Sequence, residues 1–186
     1  MAGISIWKLD PDHTSVEFSV KHMMITSVRG RFKDVRGTIT VDEDAPERSR
    51  VEVEIAAASL DTAVADRDAH LRSADFFDAD TYPKITFRSR RIEGRTDEEG
   101  GRFRLTGVLT IRDTPMEVEL HCMVEGRGQD AWGNDRIGFG ATGEIDRRDW
   151  GLRWNQSIES GGVLVANRVK IDVDVQFVRG ATEAAA

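Results

Sequence analysis

Residues 62–89 read TAVADRDAHLRSADFFDADTYPKITFRS, and they interrupt a chain that otherwise alternates apolar and polar side chains almost throughout. From Asp66 the pattern is helical. Asp66 stands where a side chain caps a helix N-terminus, Asp68 suits the first turn, and Val64, Leu71 and Ala74 fall at helical spacing. Arg67 and Asp68 lie beside that apolar stripe, which fits an element laid over an opening rather than one immersed in a core. After Phe76 and Phe77, the residues Asp78, Asp80 and the pre-proline Tyr82 stop the helix. Pro83 then opens a strand with Ile85 and Phe87 on one face. The segment from Thr62 to Asp80 is therefore expected to close one end of a β structure.

Outward from this plug, the strands announce themselves by period two. Thr14, Val16, Phe18 and Val20 share a face, and so do Val51, Val53 and Ile55. The same holds for Phe103, Leu105, Gly107, Leu109 and Ile111, and for Met116, Val118, Leu120, Cys122 and Val124. It holds again for Ile137, Phe139, Ala141, Gly143 and Ile145, and for Val169, Ile171, Val173, Val175 and Phe177 in a last strand from Arg168 to Phe177. Between Phe32 and Val35 the phase flips, so an extra residue near Lys33 and Asp34 is expected to bend the chain as a β-bulge does. The segment HMMITSV, 22–28, is irregular and reads as one helical turn against a barrel end. Gly126 to Asp135 reads as a long glycine-rich loop, and RRDWGLRWNQSIESGG, 147–162, as an excursion across a barrel end. About eight strands result, which suits a sandwich or a barrel equally. Small residues in inward phase, Gly30, Gly37, Gly107, Ala141 and Gly143, mark either a hollow or the corners where barrel strands bend.

At 186 residues and 39% hydrophobic, the chain suits one all-β domain over 1–180 with a disordered tail, ATEAAA, at 181–186. A net charge of −7 with interspersed signs argues against nucleic acid or an anionic membrane as partner. Cys122 is the only cysteine, so neither an intramolecular disulfide nor a cysteine metal cluster is available. No signal-like or membrane-spanning run is present, and the expectation is a soluble, cytoplasmic protein without stable membrane insertion.

Catalytic chemistry is not indicated. His13, His22, His70 and His121 lie in separate segments without ligand spacing, so no metal site is expected. No serine or cysteine has a nucleophile's setting, and no glycine-rich phosphate loop follows a strand. Arg67 and Asp68, with Arg147 and Asp149, are read as ion pairs and hydrogen bonds that tie plug and excursion to the barrel ends. His22 continues the inward phase of Phe18 and Val20; it reads first as a cap of the turn that follows, and it is the one histidine in reach of a ligand's polar end.

The motif Arg67, Asp68, His70, Leu71, Asp75, Phe76, Phe77, Asp78, Tyr82, Pro83, Ile85 and Phe87 resembles the YceI-like family. The resemblance runs from Trp7, Leu9, Asp10, His13, Ser15 and Phe18 near the start to Arg147, Asp149, Trp150, Gly151, Leu152 and Trp154. It departs at GVLVANRV, 162–169, ahead of the last strand. It implies an all-β, extended antiparallel eight-stranded lipocalin-like barrel with a short helical segment between strands, whose interior holds an isoprenoid chain, a quinone or a polyprenyl lipid. The candidate ligand contacts are Phe18, Val20, His22, Gly30 and Phe32, then Leu71, Phe76, Phe77 and Phe87, then Leu105, Gly107 and Leu109, and finally Phe139, Ala141, Gly143 and Trp154. The expected role is a soluble carrier without catalytic residues or cofactor other than the bound lipid. The alternatives are a fatty-acid or fatty-amide carrier and an enzyme acting on a lipid-like substrate. By analogy a homodimer would cover Val108 and Met123, and exported relatives leave the periplasm or exterior as the other location.

Overall fold

The computed structural model describes residues 3–159 and 161–180; the tail expected to be disordered lies outside the described residues. Its wall is a closed antiparallel barrel of eight strands, three of which are each broken into two segments. The first comprises β1 (Ile4–Leu9) and β2 (Ser15–His22), the second β3 (Thr26–Phe32) and β4 (Val35–Asp42), and the third β5 (Arg50–Ala56) and β6 (Leu60–Asp61). The helix α1 (Ala65–Arg72) follows, and then β7 (Lys84–Gly94), β8 (Arg102–Ile111), β9 (Thr114–Gln129) and β10 (Asp135–Asp146). A small hairpin, β11 (Ser157–Ile158) and β12 (Gly162–Val163), precedes the last strand, β13 (Val165–Arg179).

Closure comes from β13. It pairs with β10 on one side, while on the other it meets β2 along Val20↔Val169 and then β1 at Leu9↔Phe177. With each strand beside its sequence neighbour, the sheet is an up-and-down meander without a free long edge, which removes the row of unpaired amides that invites aggregation. The break between β1 and β2 falls at Pro11, which has no N–H to give a ladder. The break between β3 and β4 falls at Lys33 and Asp34, where the sequence pattern flips phase; Phe32 and Val35 accordingly both face the interior. Three further register shifts, at Ser89–Arg91 on β7, beside Glu125 on β9 and between Val165 and Val169 on β13, bend the remaining wall.

Three local expectations are corrected. The segment 22–28 is a tight hairpin rather than a helical turn: the Ile25 N–H donates to the His22 carbonyl at 3.0 Å, and β2 pairs with β3 down to His22↔Thr26. Gly126 and Gly128 are strand residues of β9, so the loop shrinks to 130–134, where Asp130 accepts from the N–H groups of Trp132 and Asn134. A Cβ at either glycine would meet nothing within 4 Å, so the composition signals a loop that the backbone does not form. Finally, Val64 rather than Asp66 occupies the N-cap of α1, without a side-chain cap.

All the sequence-long crossings place α1, the β2–β3 hairpin, the β8–β9 turn and residues 147–164 at one end, called here the plug end. The loops 43–49, 95–101 and 130–134 occupy the far end. The main core joins Val35, Ile55, Ile85, Phe87, Leu105, Val118 and Cys122 with Phe76, Trp150 and Leu152 from the plug end. A smaller cluster, Ile39, Val124, Ile137 and Phe177, fills the far end.

Candidate functional site

The plug is fastened by arginines and one buried carboxylate. Asp68 accepts from the Thr62 N–H at 2.8 Å and from its hydroxyl at 2.5 Å, while Arg67 donates to the Thr62 Oγ1 and carbonyl, both at 2.8 Å. Arg72 donates to the carbonyls of Ala58 at 2.9 Å and Leu60 at 2.7 Å, which clamps α1 to β6. From the other side, the Arg147 guanidinium is buried and donates to the carbonyls of Leu152 at 2.7 Å and Trp154 and Ala166 at 2.9 Å. Burial lowers the Arg147 pKa, and these carbonyl dipoles stand where a counter-ion would. Of the ion pairs and hydrogen bonds expected to tie plug and excursion in place, the hydrogen bonds are present, to Thr62 and to backbone carbonyls, and they do the fastening without an Arg67–Asp68 or Arg147–Asp149 ion pair. A carbonyl suffices because each charge-assisted bond is worth about 1.5–3 kcal/mol.

Plug and excursion meet at Phe76. Its ring lies 5.1 Å from that of His70, 5.4 Å from that of Trp154 and 5.9 Å below the Arg147 guanidinium. The carbonyl of Phe76 accepts from Arg112, and the Trp150 indole N–H donates to the Leu109 carbonyl at 2.9 Å, so both elements lean on the β8–β9 side. His70 Nε2 stands 2.9 Å from Asp75 Oδ2, and Phe77 continues an aromatic line through Phe32 to Phe18 at spacings of 5.7 and 5.6 Å.

Above this floor lies a cavity of about 610 Å³ whose lining is almost wholly aliphatic and aromatic. Of the residues expected from sequence, Phe18, Val20, His22 and Phe32 line it from β2 and β3, and Leu71, Phe76, Phe77 and Trp154 from the floor. Phe87, Leu105, Leu109, Phe139 and Ala141 line it from β7, β8 and β10. Gly30, Gly107 and Gly143 do not line it, which corrects the idea that inward glycines make the hollow. A Cβ at Gly30 would come within 2.4 Å of the Phe18 ring, at Gly107 within 2.5 Å of the Phe87 ring, and at Gly143 within 2.7 Å of Leu120. Large side chains of adjacent strands lie across each glycine, the arrangement by which aromatic neighbours cover glycines in sheets.

The hollow arises elsewhere. Phe18, Val20, Val28, Val165, Val169 and Ile171 line the cavity half-buried and stand outside the packed core clusters, so the unfilled space lies against β2, β3 and the start of β13. Val28, Val165, Val169 and Ile171 were absent from the expected contacts, although the inward phase of β13 was legible. Most polar groups that border the cavity stand near its ends: Lys21, His22, Arg67, His70 and Arg147 at the plug end, and Glu43, Ser49, Thr96, Asp97 and Arg127 at the far end, where Arg127 donates to the Thr96 carbonyl at 2.6 Å; Glu17, midway along β2, is the exception. Outside the wall, Arg136 bridges Asp10 and Asp130. Burial acts to raise the Asp10 pKa, but the hydrogen bonds from Arg136 and His13 outweigh it and hold the carboxyl below its ordinary range.

Known proteins share this architecture. Protein YceI of Escherichia coli O157:H7 is 38% identical over 149 residues, 79% of this chain and 76% of that protein. The crystal structure of Burkholderia cenocepacia BcnA superposes with a TM-score of 0.76 at 23% identity, covering 90% of this chain and 98% of that one. A polyisoprenoid binding domain from Saccharophagus degradans, implicated in plant cell wall breakdown, gives a TM-score of 0.68 at 15% identity over 97% of this chain and all of the other. The YceI-like domain matches residues 7–177, and the chain belongs to that family.

Proposed function

We propose that this protein binds an isoprenoid lipid, a polyprenyl chain or the tail of a quinone, in the hollow against β2, β3 and β13, and carries it. The supporting observation is the cavity of about 610 Å³ with largely apolar walls and most of its polar groups near the ends. A pocket of this size falls in the range that encloses small ligands. Each five-carbon unit buried at about 0.8 kcal/mol per carbon offers roughly 3–4 kcal/mol. Several units outweigh association costs on the order of 10 kcal/mol without any charged contact. His22, half-buried at the plug end, is placed to meet a polar head group. A binding role also fits the spending of Arg67 and Asp68 on Thr62, which leaves neither group free for acid–base work.

Native mass spectrometry of freshly purified protein, with extraction and identification of what is released, tests this. One prenyl lipid per protein is expected, displaced poorly by straight acyl chains, and Val169→Phe is expected to lower the lipid content while the protein stays folded. A folded protein that arrives empty and takes up no added prenyl lipid would overturn the proposal. Conversion of the lipid that disappears in His70→Ala would replace it with an enzymatic one.

A further inference from the structure

We propose that the β2–β3 hairpin tip is a membrane-contacting lip, at which the hollow opens toward an anionic phospholipid surface to exchange its cargo; only the cargo, not the contact, rests on the preceding proposal. The tip residues Met24 and Ile25 are 69% and 74% exposed, Met23 is 36% exposed, and Val163 beside them is 41% exposed. The Met23 N–H donates to the Leu164 carbonyl at 2.8 Å, which brings the end of β12 alongside the tip, so these exposed apolar residues share one end of the barrel. Scattered apolar side chains on a surface are ordinary, whereas a contiguous cluster marks an interaction site.

The backbone supplies a second argument. Met23 and Met24 both have positive φ, 52° and 57°, and the His22 carbonyl accepts from the Ile25 N–H across them. That is the requirement of a type I′ turn, whose two central positions favour Asn-Gly and disfavour long side chains. The chain places two methionines there at a cost in stability, and neither packs into either core cluster. Strain kept at an exposed apolar tip points to a use outside the fold.

Position and charge identify the occupant. Val20, His22, Val28, Leu164 and Val165, all lining the cavity, lie directly behind the tip, so the unfilled part of the interior is continuous with the lip. Flanking it on the outer face, Lys21 and Arg29 are exposed and form no ion pair among the described residues, although the whole chain carries −7. A shallow apolar tip between free cations suits the boundary between acyl chains and phosphate groups, where flexible methionines and isoleucine find hydrocarbon.

Flotation with vesicles of phosphatidylcholine containing phosphatidylglycerol tests the contact. The unsubstituted protein is expected to float with them. Met24→Asn with Ile25→Ser should weaken binding at least about tenfold, since burial of two apolar side chains is lost. Asparagine suits the turn, so thermal unfolding should hold or rise, which separates loss of contact from loss of fold. Arg29→Gln should remove the preference for phosphatidylglycerol over phosphatidylcholine alone. Equal flotation of the double variant, or none by the unsubstituted protein, would overturn the proposal. So would a concentration-dependent dimer in sedimentation, abolished by the double variant, since a second copy would then cover the lip. Vesicle contact by a protein that holds no prenyl lipid would instead overturn the cargo and leave the lip standing.

Discussion

On β8 and β9 the inward side chains Leu105, Val118 and Cys122 are buried, whereas on β2 and β13 Phe18, Val20, Val169 and Ile171 alternate just as regularly and remain half-buried. Period two chooses which face a side chain takes; whether that face is filled depends on what the rest of the chain brings across. Here α1 and the excursion after β10 both lean toward the β8–β9 side, through Arg112 to the Phe76 carbonyl and Trp150 to the Leu109 carbonyl. Their rings fill that half. Toward β2 and β13 only Phe77 extends the aromatic floor, through Phe32 to Phe18, and the space above it stays hollow.

The largest expected difference between the two walls is in thiol reactivity. Burial pushes the Cys122 pKa up to about 12 from an ordinary 9.0, so its thiolate at neutral pH is rarer by about a thousandfold, before access is counted. A cysteine placed at Val169 faces the hollow. Val169→Cys, at a half-buried position, should therefore label with a small apolar maleimide faster than Cys122 in the native protein, and added prenyl lipid should slow it. Comparable rates at both sites would break the distinction. The same shift gives a pH effect with a definite sign. Above pH 9 the unfolded chain loses the thiol proton while the folded one retains it, so Cys122 makes stability fall as pH rises from there toward 12. Cys122→Ala should remove that component of the alkaline decline in a denaturant titration.

Truncation ranks next. Leu105→Ala should cost about 2–5 kcal/mol, because close neighbours on the packed side leave a cavity behind. Ile171→Ala in lipid-free protein should cost less, about 1–2 kcal/mol, since part of its surface already faces empty space. Urea denaturation of both variants measures the gap. Bound lipid should widen the Ile171 loss more than the Leu105 loss, which sharpens the comparison further.

Strand number, closure family and the floor were legible because they rest on local pattern: period two, the Phe32-to-Val35 phase flip, and the long motif from Arg67 to Phe87. The hollow's position was not, because it depends on contacts between residues far apart in sequence. Gly30, Gly107 and Gly143 looked like missing volume, yet Phe18, Phe87 and Leu120 on adjacent strands cover them. No sequence period reports which large side chain leans over which small one. The hairpin at Met23 and Met24 was missed for a related reason: positive φ normally announces itself by asparagine or glycine, and this turn uses neither.

Glycine substitution sets the two walls against each other with one chemical change. At Gly107 a new Cβ would lie 2.6 Å from the Arg88 carbonyl oxygen as well as 2.5 Å from the Phe87 ring, and backbone cannot turn aside. At Gly30 the close atoms all belong to the Phe18 ring, at 2.4 to 3.0 Å, and that ring borders the hollow into which it can rotate. Gly107→Ala should cost about 1–3 kcal/mol, and Gly30→Ala under about 1 kcal/mol, read from urea midpoints. The Gly30 variant should also bind less lipid, because the displaced ring takes up room. Equal costs would mean that Phe18 is held as firmly as Phe87.

The finest probe lies within the packed wall. Thr106 on β8 is only 4% exposed, and its hydroxyl finds no hydrogen-bonding partner among the described protein groups. It sits opposite Arg91, next to the register shift of β7, where the widened spacing takes ladder partners out of reach. Thr106→Val keeps the branched shape and the strand preference and removes the unmatched hydroxyl, whose burial costs free energy only because nothing answers it. The variant should equal or exceed the original stability, by up to about 1 kcal/mol, in calorimetry or urea titration. A loss of that size would show that the hydroxyl meets solvent through a gap beside the shift, and the packed wall would then share, on its outer side, the openness that distinguishes the hollow one.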